Sequence, residues 1–233
     1  MVEGAPFDRL KGKADLGIID LHTHTFLSDG VLLPSELVRR AMVAGYSVIG
    51  LTDHVGPENV ESVTAKLVRA AEALVGIPIK IIPGVEVTHV PPMLIADVVR
   101  AARAAGARLI IVHGETPVEP VWEHTNQAAI AAKADILAHP GLITEAEARE
   151  AARMGVALEL SARRGHCLTN GHVAAVARAV GARVILGSDA HEPGDLLTPG
   201  LVDSVLRGAG LGEAEAAGAR RTAEELARKL LKG

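Results

Sequence analysis

Two apolar patterns alternate along this chain. Short continuous runs rich in Val, Ile and Leu occur at Ile18–His24, Ser47–His54, Ile79–Val87, Ala107–Glu115, Ala134–Gly141, Val156–Ser161 and Arg183–His191. Runs of this kind, without polar alternation, are expected of parallel strands buried on both faces. Between them lie segments with helical spacing, many opened by Pro, Thr or Asn and closed by Gly. These are Pro34–Gly45, Pro57–Gly76, Pro91–Gly106, a short piece around Asn126–Ala132, Thr144–Gly155 and Asn170–Gly181, then Asp203–Arg207 and Glu213–Lys232. Strand and helix thus alternate seven times, which predicts an α/β fold, either an open doubly wound sheet or a closed βα barrel.

The ionisable residues decide between the two. His22 and His24, His54, Glu86, His113, His139, and Asp189 with His191 all stand at the C-terminal ends of predicted strands. Strands at opposite edges of an open sheet could not bring such groups to one point. A barrel can, and its C-terminal rim is where active sites lie. The expectation is a distorted seven-stranded (βα)7 barrel forming one domain over residues 1–233, its motifs spanning 18–191 and its last helices 200–233.

Composition narrows the function. Hydrophobic residues make up 48% and aromatics only 2%, so the core is aliphatic and few side chains are available to stack on bases. Net charge is −4 with no basic run, which argues against extended nucleic-acid binding. A single cysteine, Cys167, excludes an internal disulfide and suits a reducing compartment. The first residues, MVEGAPFDRLKGKADLG, hold no apolar stretch of signal-peptide length, and no run is long enough to span a membrane. The expected location is cytoplasmic.

His22 and His24 are two apart, so on a strand both rings point to one face, and Asp29 on the following turn can fold back over them. With His54, Glu86, His113, His139, Asp189 and His191, nine candidate metal ligands gather at one rim. That is more than one zinc, with roughly four ligands, can use. Asp53, beside His54, and Asp20, below His22, are candidate braces for these ligands. The loop Ser161–His172 carries Arg163, Arg164 and His166 where a barrel presents groups to substrate, and guanidinium forks match phosphate oxygens. His89, on the loop after Glu86, is a further substrate candidate. Glu115 reads as solvated, His124 and His172 as structural, Cys167 as packing and Asn170 as a helix N-cap.

The motifs HTHTFLSDG, LTDH, PGVEV, VHGE, LAHPG and LGSDAH, in this order, resemble the PHP (polymerase and histidinol phosphatase) family, of the histidinol-phosphatase-like kind. The resemblance implies a metal-dependent phosphoesterase on a seven-stranded barrel, often with three metal ions. It implies one position formed by His22, His24, Glu86 and Asp189, a second sharing Glu86 with His113 and His139, and a third formed by Asp29, His54 and His191. His22, Glu86, Asp189 and His191 would stand nearest the chemistry. Three divalent ions, these three carboxylates and a bridging hydroxide leave about +2, which a phosphomonoester dianion would neutralise. Two to three ions of Zn, Mn or Fe are the expected cofactors, mixed imidazole and carboxylate ligation not choosing among them. The expected activity is phosphatase hydrolysis of a small phosphorylated metabolite, with neither nucleic acid nor membrane as partner. A phosphodiesterase or nuclease of the same family is the alternative, ahead of an amidohydrolase-like enzyme and of a non-catalytic metal-binding module.

Overall fold

A computed structural model describes residues 17–232; the reading of the first sixteen residues as lacking a secretion signal lies outside them. Eight helices and a nearly closed parallel barrel make up the described chain. The elements are β1 (Ile18–Asp20), α1 (Pro34–Val43), β2 (Tyr46–Leu51), β3 (His54–Val55), α2 (Val60–Ala73), β4 (Lys80–Val87), α3 (Pro92–Ala104) and β5 (Leu109–His113). They continue as α4 (Thr125–Ala131), β6 (Ile136–Ala138), α5 (Glu145–Met154), β7 (Ala157–Ser161), α6 (Asn170–Val180), β8 (Val184–Gly187), α7 (Pro199–Gly208) and α8 (Glu213–Lys232). Strand order is β1-β2-β4-β5-β6-β7-β8, every pair parallel, and β3 pairs with β4 as a continuation of β2 beyond a break at Thr52 and Asp53. Counting β2 and β3 as one interrupted strand gives the seven expected. A Thr23–Ala190 bridge, with hydrogen bonds from His24 N to Ala190 O (2.8 Å) and from Asp189 N to His22 O (2.9 Å), joins the first strand to the last.

Strand parity explains how an apolar barrel ends in a polar rim. Ile82, Leu109, Ile111, Ile136, Ala157 and Ile185 point inward at the bottom, where Ala223, Leu226, Ala227 and Leu230 of α8 cap them in a dry inner core. Two further steps along the same faces reach Glu86 on β4, His113 on β5, Glu159 on β7 and Asp189 past β8. The opposite parity (Val85, Val87, Ile110, Val112, Leu158, Leu160) packs against the helix ring. The expected helices all form. A Thr144–Glu147 capping box starts α5, and left-handed Gly155 and Gly181 close α5 and α6. Asn170 does not cap α6 as expected: it is the helix's first residue, and its amide pairs both ways with the Ser161 backbone (3.0 and 2.8 Å). No helix among the described residues is long and apolar enough to cross a membrane.

Candidate metal centre

Two conformational devices aim the rim residues. The break at Thr52–Asp53 lets two adjacent side chains work inward, which a regular strand would forbid. Asp53, fully buried, accepts from Thr25 N (2.9 Å), Ser28 N (3.0 Å) and both hydroxyls, so it shapes the loop carrying Asp29. His54 turns to the site instead, its Nδ1 2.6 Å from Thr88 Oγ1. His139 has the wrong parity after inward Ile136 and Ala138, and a left-handed φ of 26° swings its ring back in. His89 and Asp189 likewise carry φ of 54°. A non-glycine residue in that region costs energy, and such strain collects at functional sites.

The nine expected ligands converge. His22 Nε2 lies 3.4 Å from Glu86 Oε1, and His24 Nε2 lies 3.5 Å from Glu86 Oε2 and 3.3 Å from Asp189 Oδ1. Asp29 Oδ1 stands 3.3 Å from His54 Nε2 and 3.1 Å from His191 Nε2, with His24 in the same group. His139 Nε2 is 3.6 Å from Glu86 Oε1, and His113 Nε2 lies 3.0 Å from Glu119 Oε2. His113 and His139 group with His166 instead, so His166, expected at the substrate, stands among candidate ligands. Its Nδ1 is held by Thr116 Oγ1 at 2.8 Å.

Other expectations come out differently. Asp20 bonds the backbone N–H of His22 (3.3 Å), not its ring; it also accepts from Ser188 N and from Tyr46 Oη, and burial pushes it up to about 6. Ring support comes from Glu159, which sequence reasoning missed. Its Oε1 accepts from His22 Nδ1 at 2.7 Å and its Oε2 from His139 N at 3.1 Å. The available signal was a lone carboxylate inside the apolar run VALELS. Glu119 was missed as well, and nothing in its loop sequence marks it. Arg163 lines the mouth, its Nη1 3.1 Å from Asp189 O and 3.6 Å from Asp195 Oδ2, whereas Arg164 is exposed and does not line it. Glu115 accepts from Asn126 N (2.9 Å) at the start of α4. Cys167 is exposed rather than packed. His172 bonds Ile143 O (2.8 Å), and His124 sits left-handed before α4.

The hydrogen-bond partners of these residues fit metal ions. His22 Nδ1 faces a carboxylate and His191 Nδ1 faces the Asp189 carbonyl (2.9 Å), both pure acceptors, so each Nδ1 carries the proton. In the neutral ring each Nε2 is then a lone pair, pointed at a carboxylate oxygen. Two acceptors so close repel unless a cation lies between them. His22 Nε2, both nitrogens of His24, Glu86 Oε1 and His139 Nδ1 are buried with no hydrogen-bond partner, which would be costly in a site made only of protein. Protons alone would divide the cluster. Burial opposes charging of His22 and His54, but neighbouring carboxylates outweigh it, lifting His22 well above its ordinary range and His54 to about 10. Burial and the His54 charge push His24 down to about 3, and burial lowers His139. Divalent ions satisfy His22 Nε2, one nitrogen of His24 and Glu86 Oε1 together, and the imidazole–carboxylate set suits Zn, Mn or Fe.

A family model for the PHP domain matches residues 20–160. The chain belongs to the PHP domain family. It is 44% identical over 195 residues to an uncharacterized protein of Methanocaldococcus jannaschii, covering 82% of this chain and 89% of that one. Over 75 residues it is 39% identical to the 5'-3' exoribonuclease Rnm of Salmonella typhimurium, a match covering 31% of this chain and 23% of that protein. Among solved structures, a chain in the cryo-EM structure of archaeal ribonuclease P with mature tRNA superposes with TM-score 0.65 at 17% identity over 90% of each chain. Ochratoxinase of A. niger superposes with TM-score 0.58 at 12% identity over 90% of this chain and 71% of that one. Identities this low carry the barrel alone.

Proposed function

We infer that this PHP domain protein is a metal-dependent phosphoesterase whose substrate is a small phosphomonoester. The observation that carries the reading is the shape and charge of the mouth. It is a cavity of about 210 Å³ lined by Asp29, His54, His89, His113, Arg163, Asp189 and His191, among others. That volume matches a phosphoryl group and a short alcohol.

His22, His24, Glu86 and Asp189 would hold one ion, Asp29, His54 and His191 another, and His139 with His113 or His166 a further one. Bound there, divalent ions would supply Lewis acidity, charge neutralisation and activation of a water. The chain's own residues set the rest. Glu159 holds His22 in the tautomer that presents Nε2. The backbone carbonyl of Asp189 does the same for His191. Buried walls around Glu86 keep bulk water from the floor of the site.

Glu119 and Glu159 revise the charge balance expected from sequence. Two further carboxylates cancel the surplus of about +2 that a fully loaded site was expected to hold. Recognition of a phosphate dianion then rests more heavily on Arg163, the cation with a fixed place in the mouth. Losing a charge-assisted hydrogen bond of ~1.5–3 kcal/mol translates to roughly 10- to 150-fold in kcat/KM. Arg163→Lys keeps the charge but not the fork, and it is expected to show that loss on a small phosphomonoester. Arg164→Lys is expected to match wild type.

The nuclease reading has its own support in the Rnm match and in two exposed aromatic side chains on rim loops, Phe26 and Trp122. The test compares wild type on a small phosphomonoester, a dinucleotide diester and a 5'-phosphorylated RNA oligonucleotide. Preference for the monoester supports the inferred function. Faster turnover of the diester or RNA overturns it in favour of the nuclease.

A further inference from the structure

The loop from β5 to α4 carries a carboxylate that no strand-end motif announces. Glu119 Oε2 lies 2.9 Å from His89 Nε2 and 3.0 Å from His113 Nε2, while its Oε1 lies 3.3 Å from His166 Nε2. Three imidazoles from three separate segments thus meet one carboxylate at the mouth, outside the Glu86–Asp189 floor. His113 settles what the contact is. Its Nδ1 faces the Gly114 carbonyl at 3.1 Å, so in the neutral ring Nδ1 bears the hydrogen and Nε2 is a lone pair aimed at a carboxylate oxygen. In that neutral ring the two atoms repel unless a cation lies between them; the alternative is a proton, which makes the contact an ion pair. The ligand atoms of His89, His113 and Glu119 all lie within 4.8 Å of one another, a separation that one ion can bridge. His89 reaches this place through a strained left-handed backbone, φ 54°, which orients its ring toward the group.

We propose that His89, His113 and Glu119, with His166 against the second carboxylate oxygen, form a further divalent transition-metal site at the mouth of the barrel. In this assignment His113 serves the mouth ion, and His139 keeps its place beside Glu86 on the floor. Imidazole with a single carboxylate favours zinc or a neighbouring first-row ion over magnesium or calcium. Because Glu119 is 37% exposed on a loop, this ion exchanges more readily than those on the buried floor. The proposal rests on the metal-dependent reading of the floor only in that both are tested by the same titration.

The experiment is equilibrium dialysis of metal-stripped protein against Zn²⁺, with bound metal counted by elemental analysis. It compares wild type, Glu119→Gln, His89→Asn, the exposed same-loop control Glu123→Gln, and Glu86→Gln for the floor. Asn tolerates the left-handed backbone, so His89→Asn removes the ligand without adding strain. The expected result is one ion fewer per chain, or one site weakened at least 100-fold, in Glu119→Gln and His89→Asn, with Glu123→Gln unchanged. Wild-type stoichiometry and affinity in both mouth variants, with ions lost in Glu86→Gln, overturns the mouth site and leaves the floor standing. An ion-free wild type overturns both readings. A mouth variant that loses thermal stability but no bound ion shows the contact to be a histidine–glutamate ion pair, and the site is overturned.

Discussion

Replacing Glu159 by Gln changes one atom and should damage the floor of the site. Both carboxylate oxygens accept: Oε1 from His22 Nδ1 at 2.7 Å, Oε2 from His139 N at 3.1 Å, in complete burial. A glutamine has one oxygen to offer. If that oxygen faces His22, its amide NH2 meets the His139 N–H donor to donor. If it faces His139, the NH2 meets His22 Nδ1, which must then accept, and the ring's proton moves to Nε2 where a metal would bind. Either orientation removes a charge-assisted hydrogen bond of ~1.5–3 kcal/mol. At 1.4 kcal/mol per decade this predicts a roughly 10- to 100-fold loss of affinity at the His22 ion, the range usual for partners that orient a metal-bound histidine. Gly187→Ala supplies an independent check, since a Cβ there would clash with Glu159 Oε1 and force the carboxylate off His22. Competition with a chelating indicator measures the affinity, and circular dichroism confirms the fold. If both variants hold metal as tightly as wild type, Glu159 does not set the His22 tautomer.

Two further outcomes follow from the same geometry. Metal affinity should rise with pH. In the metal-free protein the His54 imidazole, lifted to about 10, keeps its proton at neutral pH and must release it on ligation. Each proton released makes the apparent Kd tighter by about tenfold per pH unit, and calorimetry in two buffers of different ionisation enthalpy counts the protons; a Kd constant between pH 6 and 9 refutes the argument. At Asp53, Ala should cost ~2–4 kcal/mol by stranding donors on Thr25 and Ser28, lowering Tm by roughly 5–15 °C. Asp53→Asn should stay within about 1 kcal/mol, because the backbone N–H groups and Ser28 Oγ all donate to the single oxygen Oδ1 that Asn retains, and burial already pushes the carboxyl up. Equal melting losses in the two variants refute this account.

What could be read in advance was whatever period and strand-end position encode. Uniform aliphatic runs ending in His, Glu or Asp specify buried parallel strands, and the inward parity of Glu86, His113 and Asp189 follows by counting in twos. His54 and His139 break that count. A strand interruption at Thr52–Asp53 and a left-handed φ at His139 bring them in, and neither is written in residue type. Glu159 was legible in principle, since a carboxylate between Leu158 and Leu160 must find a partner once buried. Glu119 was not, because its loop position carries no period and its partners lie six and 30 residues before it and 47 after. Arg163 and Arg164 illustrate the same limit: adjacent and alike in sequence, they part when the turn after β7 sends one into the mouth and the other to solvent.

The barrel's unusual feature is that its polar end is built like a core. Asp20, His22, His24, Glu86, Glu159 and Asp189 are almost wholly removed from water, where isolated charges are expensive unless paired or coordinated to metal. The protein solves half of this within the chain. Asp20 is satisfied by Tyr46, Ser188 and the His22 backbone, and Glu159 by His22 and His139. What it leaves unsolved includes atoms that face one another across the floor, His22 Nε2, His24 Nε2 and Glu86 Oε1, along with the Nδ1 atoms of His24 and His139. A floor that braces the back of His22 through Glu159 while leaving the facing atoms of His22, His24 and Glu86 unpartnered is preorganised for an ion. Its metal-loaded state should therefore be the more stable one, by RT ln(1 + [metal]/Kd), which is about 2.7 kcal/mol at a hundredfold excess over Kd. Stripping the metal should lower Tm, and restoring it should return the original value. A melting temperature indifferent to chelator would mean that the chain satisfies these atoms by some other arrangement, and the unpartnered front would no longer argue for metal.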